Sequence, residues 1–180
     1  IDMSHHKGAH PRIGATDVCP FVPVSDATID ECVQIARTLG KEVGEWLGIP
    51  VYLYGEAAVI PERHILPDIR KGEYEGLPEK LKDEKWRPDY GPVEFNENVR
   101  RTGATVIGAR EFLIAYNVNL DAQDIQIANK ISGIVRASGV VQVNEKGERV
   151  RVPGLLKCVQ AMSVYLKEHN ITQISINLLN

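Results

Sequence analysis

The feature that most constrains the fold of this chain is an apolar periodicity between residues 29 and 47. Apolar side chains recur there at steps of three and four residues, which places them on one face of an α-helix. Asp26 or Thr28 precedes them as a candidate N-cap, and Gly48 follows as a candidate C-cap. The pattern therefore predicts an amphipathic helix that buries its apolar face against another element.

Two short apolar runs flank this helix and predict strands. Residues 51–54 are uninterrupted in apolar character, which is typical of a buried strand. Residues 17–24 contain Pro20 and Pro23, which remove ladder hydrogen bonds, so we expect an irregular strand or one at a sheet edge. The strand–helix–strand order predicts a crossover unit with both strands in one sheet.

The second half of the chain carries another set of predicted elements. They are a strand at 112–120, a helix with apolar residues from 125 to 135, a hairpin at 140–152, and strands at 156–166 and 171–178. We expect Asp121 to cap the helix and Gly139 to end it. The long elements follow the order β-α-β-β, the first four elements of a ferredoxin-like fold. The expected class is α+β, and both chain ends are expected to continue into a longer protein.

Composition argues against several classes of protein. Lysine plus arginine number 21 and aspartate plus glutamate number 24, so the formal charge is −3 and the chain lacks the basic surplus of a nucleic-acid-binding protein. No apolar run reaches the roughly 18 residues of a membrane helix. Cys19, Cys32 and Cys158 have no CxxC spacing, which favours a reducing, cytoplasmic location. We therefore expect no nucleic-acid and no membrane partner.

The densest polar chemistry lies at the start of the chain, where His5, His6 and His10 precede Arg12. Imidazole titrates near neutral pH, so these histidines are candidates for acid–base catalysis. Imidazole also binds transition metals, but there is no HExxH spacing here. A third interpretation is a solvated polar segment. Pro11 favours extended backbone at His10, and the residues alone leave all three interpretations open.

A long segment without periodicity, residues 85–103, combines Tyr90 and Phe95 with Arg100 and Arg101. Aromatic rings stack on flat heterocycles, and arginines bind carboxylates. We expect this segment to be structureless, and long structureless loops in compact domains are often binding segments or lids. A charged surface loop is an equally good interpretation of its composition. The chain has no GxGxxG or P-loop motif that would indicate a nucleotide.

Several stretches together resemble one known family, the glutamate formimidoyltransferases, also called formiminotransferases. They are residues 2–21 (DMSHHKGAHPRIGATDVCPF), 50–58 (PVYLYGEAA), 72–80 (GEYEGLPEK), 105–120 and 159–179. The resemblance covers essentially the whole chain. It implies two ferredoxin-like α/β subdomains, both incomplete here: residues 1–108 as the latter part of the amino-terminal subdomain, and residues 109–180 as the first part of the carboxy-terminal one.

The resemblance also implies site residues. The catalytic histidine of the family falls on His10, and Arg12 becomes a candidate for binding a substrate carboxylate. The folate-binding segment of the family falls on Gly91, Pro92, Val93, Glu94, Phe95, Asn96, Glu97, Asn98, Val99, Arg100, Arg101, Thr102 and Gly103. No metal ion is expected in such a site.

The implied reaction transfers a formimino group from N-formimino-L-glutamate to tetrahydrofolate, as a step of histidine degradation. Tetrahydrofolate, with or without a polyglutamate tail, is then a co-substrate, and a homodimer or higher homo-oligomer is expected. Two alternatives remain. One is another folate one-carbon enzyme on the same scaffold, such as a 5-formyltetrahydrofolate cycloligase, and the other is a fragment without activity.

Overall fold

The computed structural model describes residues 1–8 and 10–179. Backbone contacts divide the chain into two compact units, Ile1–Glu111 and Phe112–Asn180, here called unit 1 and unit 2. Each unit combines helices with small sheets, which is consistent with the α+β class. Within the described residues, no helix has both the length and the apolarity that crossing a membrane requires.

The sheet of unit 1 is built from parallel strands. They are β1 (Val18–Phe21), β2 (Val51–Gly55) and β3 (Thr105–Ala109), in the order β1-β3-β2. Every residue of β2 and β3 is buried. Pro20 lies in β1, which pairs with β3 and stands at the end of this order, so the predicted edge position is confirmed.

The helix predicted from the periodicity forms as α1 (Ile29–Leu47) and packs against the sheet of unit 1. Thr28 is its N-cap: the threonine side chain accepts the N–H of Glu31 at 3.2 Å, and the Glu31 carboxylate accepts the N–H of Thr28 at 2.8 Å. Gly48 ends the helix with φ of 62°, in the left-handed region that glycine tolerates best. Both predicted boundaries of the helix are confirmed.

Short helices fill the connection from β2 to β3. They are α2 (Leu66–Ile69), α3 (Leu77–Lys80) and α4 (Glu97–Thr102), with single 3₁₀ turns at Pro61–Arg63 and Glu84–Trp86. The prediction of a structureless segment at 85–103 is therefore wrong at its carboxyl end. The short helices contribute to a core that joins them to the sheet, with Ile13, Tyr52, Ile69, Leu77, Val99 and Val106 among its buried side chains.

A buried ion pair anchors the segment after α3 to the sheet. Arg63 Nη1 lies 2.7 Å from Asp89 Oδ2, and the two side chains are only 5% and 10% exposed. Asp89 also accepts the N–H of Leu53 in β2 at 2.7 Å, while Arg63 donates to the carbonyls of Lys85 and Arg87. Separating this pair would leave an uncompensated buried charge, which is costly. The pair therefore holds Asp89 in place, two residues before the predicted folate-binding segment begins.

Unit 2 contains an antiparallel sheet, one longer helix and a separate hairpin. Its elements are β4 (Leu113–Leu120), α5 (Ile125–Val135), β5 (Val140–Val143), β6 (Arg149–Val152), β7 (Val159–Leu166) and β8 (Ile171–Leu179). The sheet has the order β4-β8-β7, and β5 pairs with β6. Helix α5 packs against β7 and β8, where Ser132 and Ser163 share a hydrogen bond of 2.9 Å.

Both predicted boundaries of the second helix are wrong. The N-cap of α5 is Asp124 rather than Asp121, because the Asp124 carboxylate accepts the N–H of Gln126 at 2.8 Å. The helix ends before Arg136 rather than at Gly139. Gly139 has φ of 61° and donates to the carbonyl of Arg136 at 2.9 Å, so it belongs to the turn that leads into β5.

Candidate active site

The predicted folate-binding segment, residues 91–103, lies entirely in unit 1. It begins at Gly91, whose φ is 85°, and closes in α4. Asn96 caps this helix by accepting the N–H of Val99 at 3.0 Å, and Val99 is fully buried. The second half of the segment is thus a fixed helix with its polar residues outside, among them Arg100 and Arg101.

The histidine-containing segment packs against this same helix. A 3₁₀ turn at Met3–His5 is capped by Asp2, and Met3 is buried beneath it. The carboxylate of Asp2 lies 3.8 Å from Arg100 Nη1 and 4.0 Å from Arg101 Nε. The structure therefore brings the opening segment and the predicted folate-binding segment into contact within unit 1.

Two glycines allow the backbones of these segments to meet. Gly14 and Gly103 form an antiparallel bridge, flanked by hydrogen bonds from Ala15 to Thr102 and from Ala104 to Ile13. A Cβ atom on Gly14 would lie 2.0 Å from the carbonyl oxygen of Ala104. Since no side chain fits there, the absence of a Cβ at residue 14 is a requirement of the contact.

A third segment, the turn at residues 73–75, joins the other two. The N–H of Tyr74 donates to the carbonyl of Arg12 at 2.8 Å, and the Tyr74 hydroxyl donates to the carbonyl of Arg100 at 2.6 Å. The Tyr74 ring lies 6.2 Å from the ring of Phe95. Burial raises the pKa of the Tyr74 hydroxyl, which keeps this donor protonated. We call the meeting of residues 2–15, 73–75 and 95–104 the three-segment junction.

His10 and Arg12 differ in their surroundings at this junction. His10 is exposed, at a bend of the backbone, whereas the Arg12 side chain is only 11% exposed. Arg12 Nη1 lies 2.8 Å from Glu73 Oε2, and Arg12 Nη2 lies 2.7 Å from Glu75 Oε1. These hydrogen bonds, led by the one to Glu75, raise the pKa of Arg12, and the guanidinium lowers the pKa of Glu75.

The two arginines of α4 are placed differently from Arg12. Arg100 donates to both carboxylate oxygens of Glu97, at 2.8 and 2.6 Å, and this bidentate pair raises the pKa of Arg100. The Arg101 side chain is 64% exposed and has the Asp2 carboxylate at 4.0 Å. Arg101 is therefore the more accessible of the two for a ligand carboxylate.

Sequence reasoning missed the role of Glu73, Tyr74 and Glu75. The flanking glycines Gly72 and Gly76 indicate a turn, but an ion pair across some sixty residues leaves no local pattern. The missed residues add a second connection between the histidine segment and α4, through the backbone and the hydroxyl of Tyr74.

Two shallow cavities lie away from the junction. One, of about 310 Å³, is lined by Glu56 and His64 at the carboxyl end of β2, where His64 Nδ1 is 3.1 Å from the carbonyl oxygen of Gly55. The other, of about 420 Å³, lies on α5 in unit 2 between Asp124 and Lys130. Neither cavity contains a predicted site residue, and the exposed histidine at the junction remains the better chemical candidate.

Metal-ligating side chains do not converge in the part of the chain that the structure describes. Among residues 1–8 and 10–179, no group of three histidine, cysteine, aspartate or glutamate side chains has the arrangement of a metal site. His5 has Asp2 at 3.8 Å, and His6 faces the Arg12 guanidinium. The prediction of a metal-free reaction stays a prediction.

Comparison with known families identifies the chain. The amino-terminal subdomain of the formiminotransferase domain matches residues 1–110, and the formiminotransferase domain matches residues 115–180. The chain belongs to the formiminotransferase domain family. The resemblance inferred from the histidine, tyrosine and glycine motifs is confirmed.

Individual relatives are similar along the whole chain. Formimidoyltransferase-cyclodeaminase of Rattus norvegicus is 51% identical over 180 residues, which are 100% of this chain and 31% of the relative. Glutamate formimidoyltransferase of Thermoplasma acidophilum is 48% identical over 182 residues, and that of Streptococcus pyogenes serotype M1 is 45% identical over 180 residues. The chain covers 54% of each of these two proteins, so it spans about half or less of the relatives it matches.

Proposed function

We propose that this protein transfers the formimino group of N-formimino-L-glutamate to tetrahydrofolate, giving 5-formimidoyltetrahydrofolate and L-glutamate, as a step of histidine degradation. The family and the names of its relatives support this transferase activity. The observation that carries the proposal is the three-segment junction, where the segment of His10 meets the predicted folate-binding helix within one compact unit.

In the proposed reaction, His10 acts as general acid and base. N5 of tetrahydrofolate attacks the formimino carbon and forms a new C–N bond, and the His10 imidazole takes the N5 proton from the intermediate and becomes an imidazolium. The bond from that carbon to the glutamate nitrogen then breaks as the nitrogen takes a proton from the imidazolium. The exposed position of His10 supports this role, because the ring is open to a substrate.

The folate-binding role of residues 91–103 is also a proposal. Phe95 supplies an aromatic surface beside Tyr74, and Arg101 supplies an exposed guanidinium. A pterin ring and a glutamate carboxylate are the ligand groups that these side chains recognise. In this proposal tetrahydrofolate, with or without a polyglutamate tail, is a co-substrate, and the reaction uses no metal.

The order of the strands supports part of the expected subdomain structure. In unit 2, β4, β7 and β8 follow one another in this order along the chain and pair as β4-β8-β7 with antiparallel neighbours. The first three strands of a ferredoxin-like sheet have this arrangement, with a helix between the first and the second strand, and α5 lies between β4 and β7. In unit 1 the described strands are parallel, so support for ferredoxin-like subdomains comes from unit 2 alone. We also propose that the two subdomains correspond to unit 1 and unit 2, with the boundary expected near residue 108 falling after Glu111, that the protein is a homo-oligomer and that it is cytoplasmic.

The test is a product assay on the full-length protein. N-formimino-L-glutamate and tetrahydrofolate are supplied together, and 5-formimidoyltetrahydrofolate and L-glutamate are quantified. Formation of both products in equal amounts is expected. If glutamate is not released, the proposal is wrong, and a parallel assay with 5-formyltetrahydrofolate and ATP then tests the cycloligase alternative.

Substitution of His10→Gln tests the acid–base role. We expect kcat to fall by about 10²–10⁴-fold, the usual contribution of positioned acid–base catalysis, with little change in KM for tetrahydrofolate. The matched control is His169→Gln, because His169 is an exposed histidine in the turn between β7 and β8 of unit 2. Turnover close to that of the unaltered protein in His10→Gln would remove this residue from the mechanism.

A further inference from the structure

The stretch from His6 to Arg12 is closed into a loop at its base. Arg12 Nη2 donates to the carbonyl of His6 at 3.3 Å, and Arg12 Nε donates to His6 Nδ1 at 3.4 Å. A guanidinium has no acceptor atom, so Nδ1 of His6 is the acceptor in this contact. His10 lies inside this loop, two residues before the arginine that closes it.

The same guanidinium ties the loop to the turn at residues 73–75. Its Nη1 donates to Glu73 at 2.8 Å and to Glu75 at 2.9 Å, and its Nη2 donates to Glu75 at 2.7 Å. All three nitrogens of the Arg12 guanidinium therefore have acceptors within the chain. A carboxylate that binds Arg12 from outside would have to displace one of these glutamates and would meet the negative charge of the other.

The turn that supplies these carboxylates is itself held in place. Tyr74 donates from its backbone to the carbonyl of Arg12 and from its hydroxyl to the carbonyl of Arg100 in α4. Glu73 has φ of 53°, in the left-handed region that a residue with a side chain adopts only when its surroundings require it. The turn is thus a fixed support between the histidine loop and the helix.

We propose that Arg12, Glu73 and Glu75 form a positioning clamp that fixes the loop carrying His10, and that Arg12 acts through this loop rather than by binding the substrate carboxylate. The inference rests on the proposed function, because it takes His10 as the catalytic group. In this proposal, Glu73 and Glu75 have a positioning role although they lie more than sixty residues from His10 in the sequence.

The kinetic test compares Arg12→Lys, Arg12→Gln, Glu75→Gln and the double variant Arg12→Gln/Glu75→Gln in the full-length protein. We expect each single substitution to lower kcat by about 10- to 100-fold, since a misplacement of about 1 Å can cost about 100-fold. KM for N-formimino-L-glutamate should change by less than about twofold, because in this proposal Arg12 and Glu75 do not bind the substrate themselves. Arg12→Lys should not rescue kcat, since lysine keeps the positive charge but lacks the planar set of N–H donors that binds both glutamates.

The double variant should be no slower than Arg12→Gln alone, because both substitutions break the same contact. The matched control is Glu79→Gln. Glu79 is an exposed glutamate of α3 that pairs with Lys82, and its replacement removes the same charge nearby without touching Arg12. We expect the kinetics of this control to equal those of the unaltered protein.

Hydrogen exchange tests the positioning clamp without measuring activity, so its outcome does not depend on the proposed function. Hydrogen exchange of the backbone amides between residues 5 and 13 should become about tenfold faster in Glu75→Gln and unchanged in Glu79→Gln, because the loop loses a support. Absence of formimino transfer in the unaltered protein would overturn the proposed function, whereas unchanged exchange in Glu75→Gln would overturn the clamp. A tenfold higher KM for N-formimino-L-glutamate in Arg12→Gln, with Glu75→Gln unaffected, would also overturn it.

Discussion

Strand β3 of unit 1 and strand β4 of unit 2 follow one another in the chain, and their surroundings are opposite. Every residue of β3 is buried, whereas in β4 the side chains of Ile114 and Tyr116 are 64% and 58% exposed. Strand β3 lies between two parallel neighbours beneath α1, while α5 packs over β7 and β8. An apolar run therefore predicts a strand, but the elements that cover the strand decide its burial.

The candidate site is attached to the more buried of these two regions. The bridge between Gly14 and Gly103 lies directly before β3, so the three-segment junction adjoins a fully buried strand of unit 1. Rigid support of this kind keeps catalytic groups in a productive geometry. We therefore expect substitutions in the buried region around β3 to affect stability or the candidate site, and substitutions at exposed positions of unit 2 to have little effect.

The largest expected effect comes from the core of β3. Ile107 is 2% exposed, so Ile107→Ala should lower the free energy of unfolding by about 2–5 kcal/mol, because it removes buried methyl groups and leaves a cavity. The matched substitution Ile114→Ala in β4 should change it by less than about 0.5 kcal/mol, as exposed sites usually do. Urea unfolding of both variants measures the difference. An equal cost at residue 114 would mean that β4 is covered in solution.

A second pair of substitutions compares glycines. Gly14→Ala should destabilise by about 1–3 kcal/mol, near the upper end of that range, because its Cβ would overlap the Ala104 carbonyl and separate the backbones at the junction. Gly147→Ala in the β5–β6 turn should cost only about 1 kcal/mol, since its φ is 78° but the space around it is open.

Both glycine variants are measured by urea unfolding and by the transfer assay. Gly14→Ala should also lose activity, because the bridge that its methyl group disrupts connects the histidine segment to α4. Gly147→Ala should keep it. Full activity in a correctly folded Gly14→Ala variant would show that the junction does not support the site.

Local signals in the sequence were sufficient for much of the fold. The apolar periodicity, Thr28 and Gly48 predicted α1 with its two ends, since each signal acts within one turn of the helix. Helix α4 was missed because its six residues are too few to show a period, although Asn96 supplied an N-cap signal. Asp121 and Asp124 are both acceptable caps by composition, and only the hydrogen bond to Gln126 distinguishes them.

Prediction of the candidate site was limited by long-range contacts. The family resemblance predicted His10 and the segment at 91–103 as site residues, and this stays a prediction. Nothing near Arg12 in sequence indicates that Glu73 and Glu75 bind its guanidinium. Partners this far apart are set by the packing of the whole unit. Sequence alone therefore gives little basis for assigning a role to Arg12, because its partners lie some sixty residues away.

A half-buried lysine in unit 1 gives a predicted effect that depends on pH, and it can be compared with an exposed lysine of unit 2. Lys80, at the end of α3, donates from Nζ to the carbonyl of Ile69, and Nζ lies 4.8 Å from the centre of the Trp86 ring. Burial disfavours the charged amine and lowers the pKa of Lys80 to about 8. In the unfolded chain the pKa of lysine is about 10.4.

Between these two pKa values the unfolded chain binds a proton that the folded protein has released. The contribution of Lys80 to the free energy of unfolding should therefore rise as pH increases from about 8 to about 10.4, and stay constant below and above that window. Lys80→Met should remove this rise, whereas Lys146→Met, in the exposed β5–β6 turn, should preserve it. Urea unfolding at intervals across the window measures both. An identical pH dependence in the two variants would mean that the Lys80 amine is as well solvated as a lysine in the hairpin, and that the packing of α3 against Trp86 does not exclude water from it.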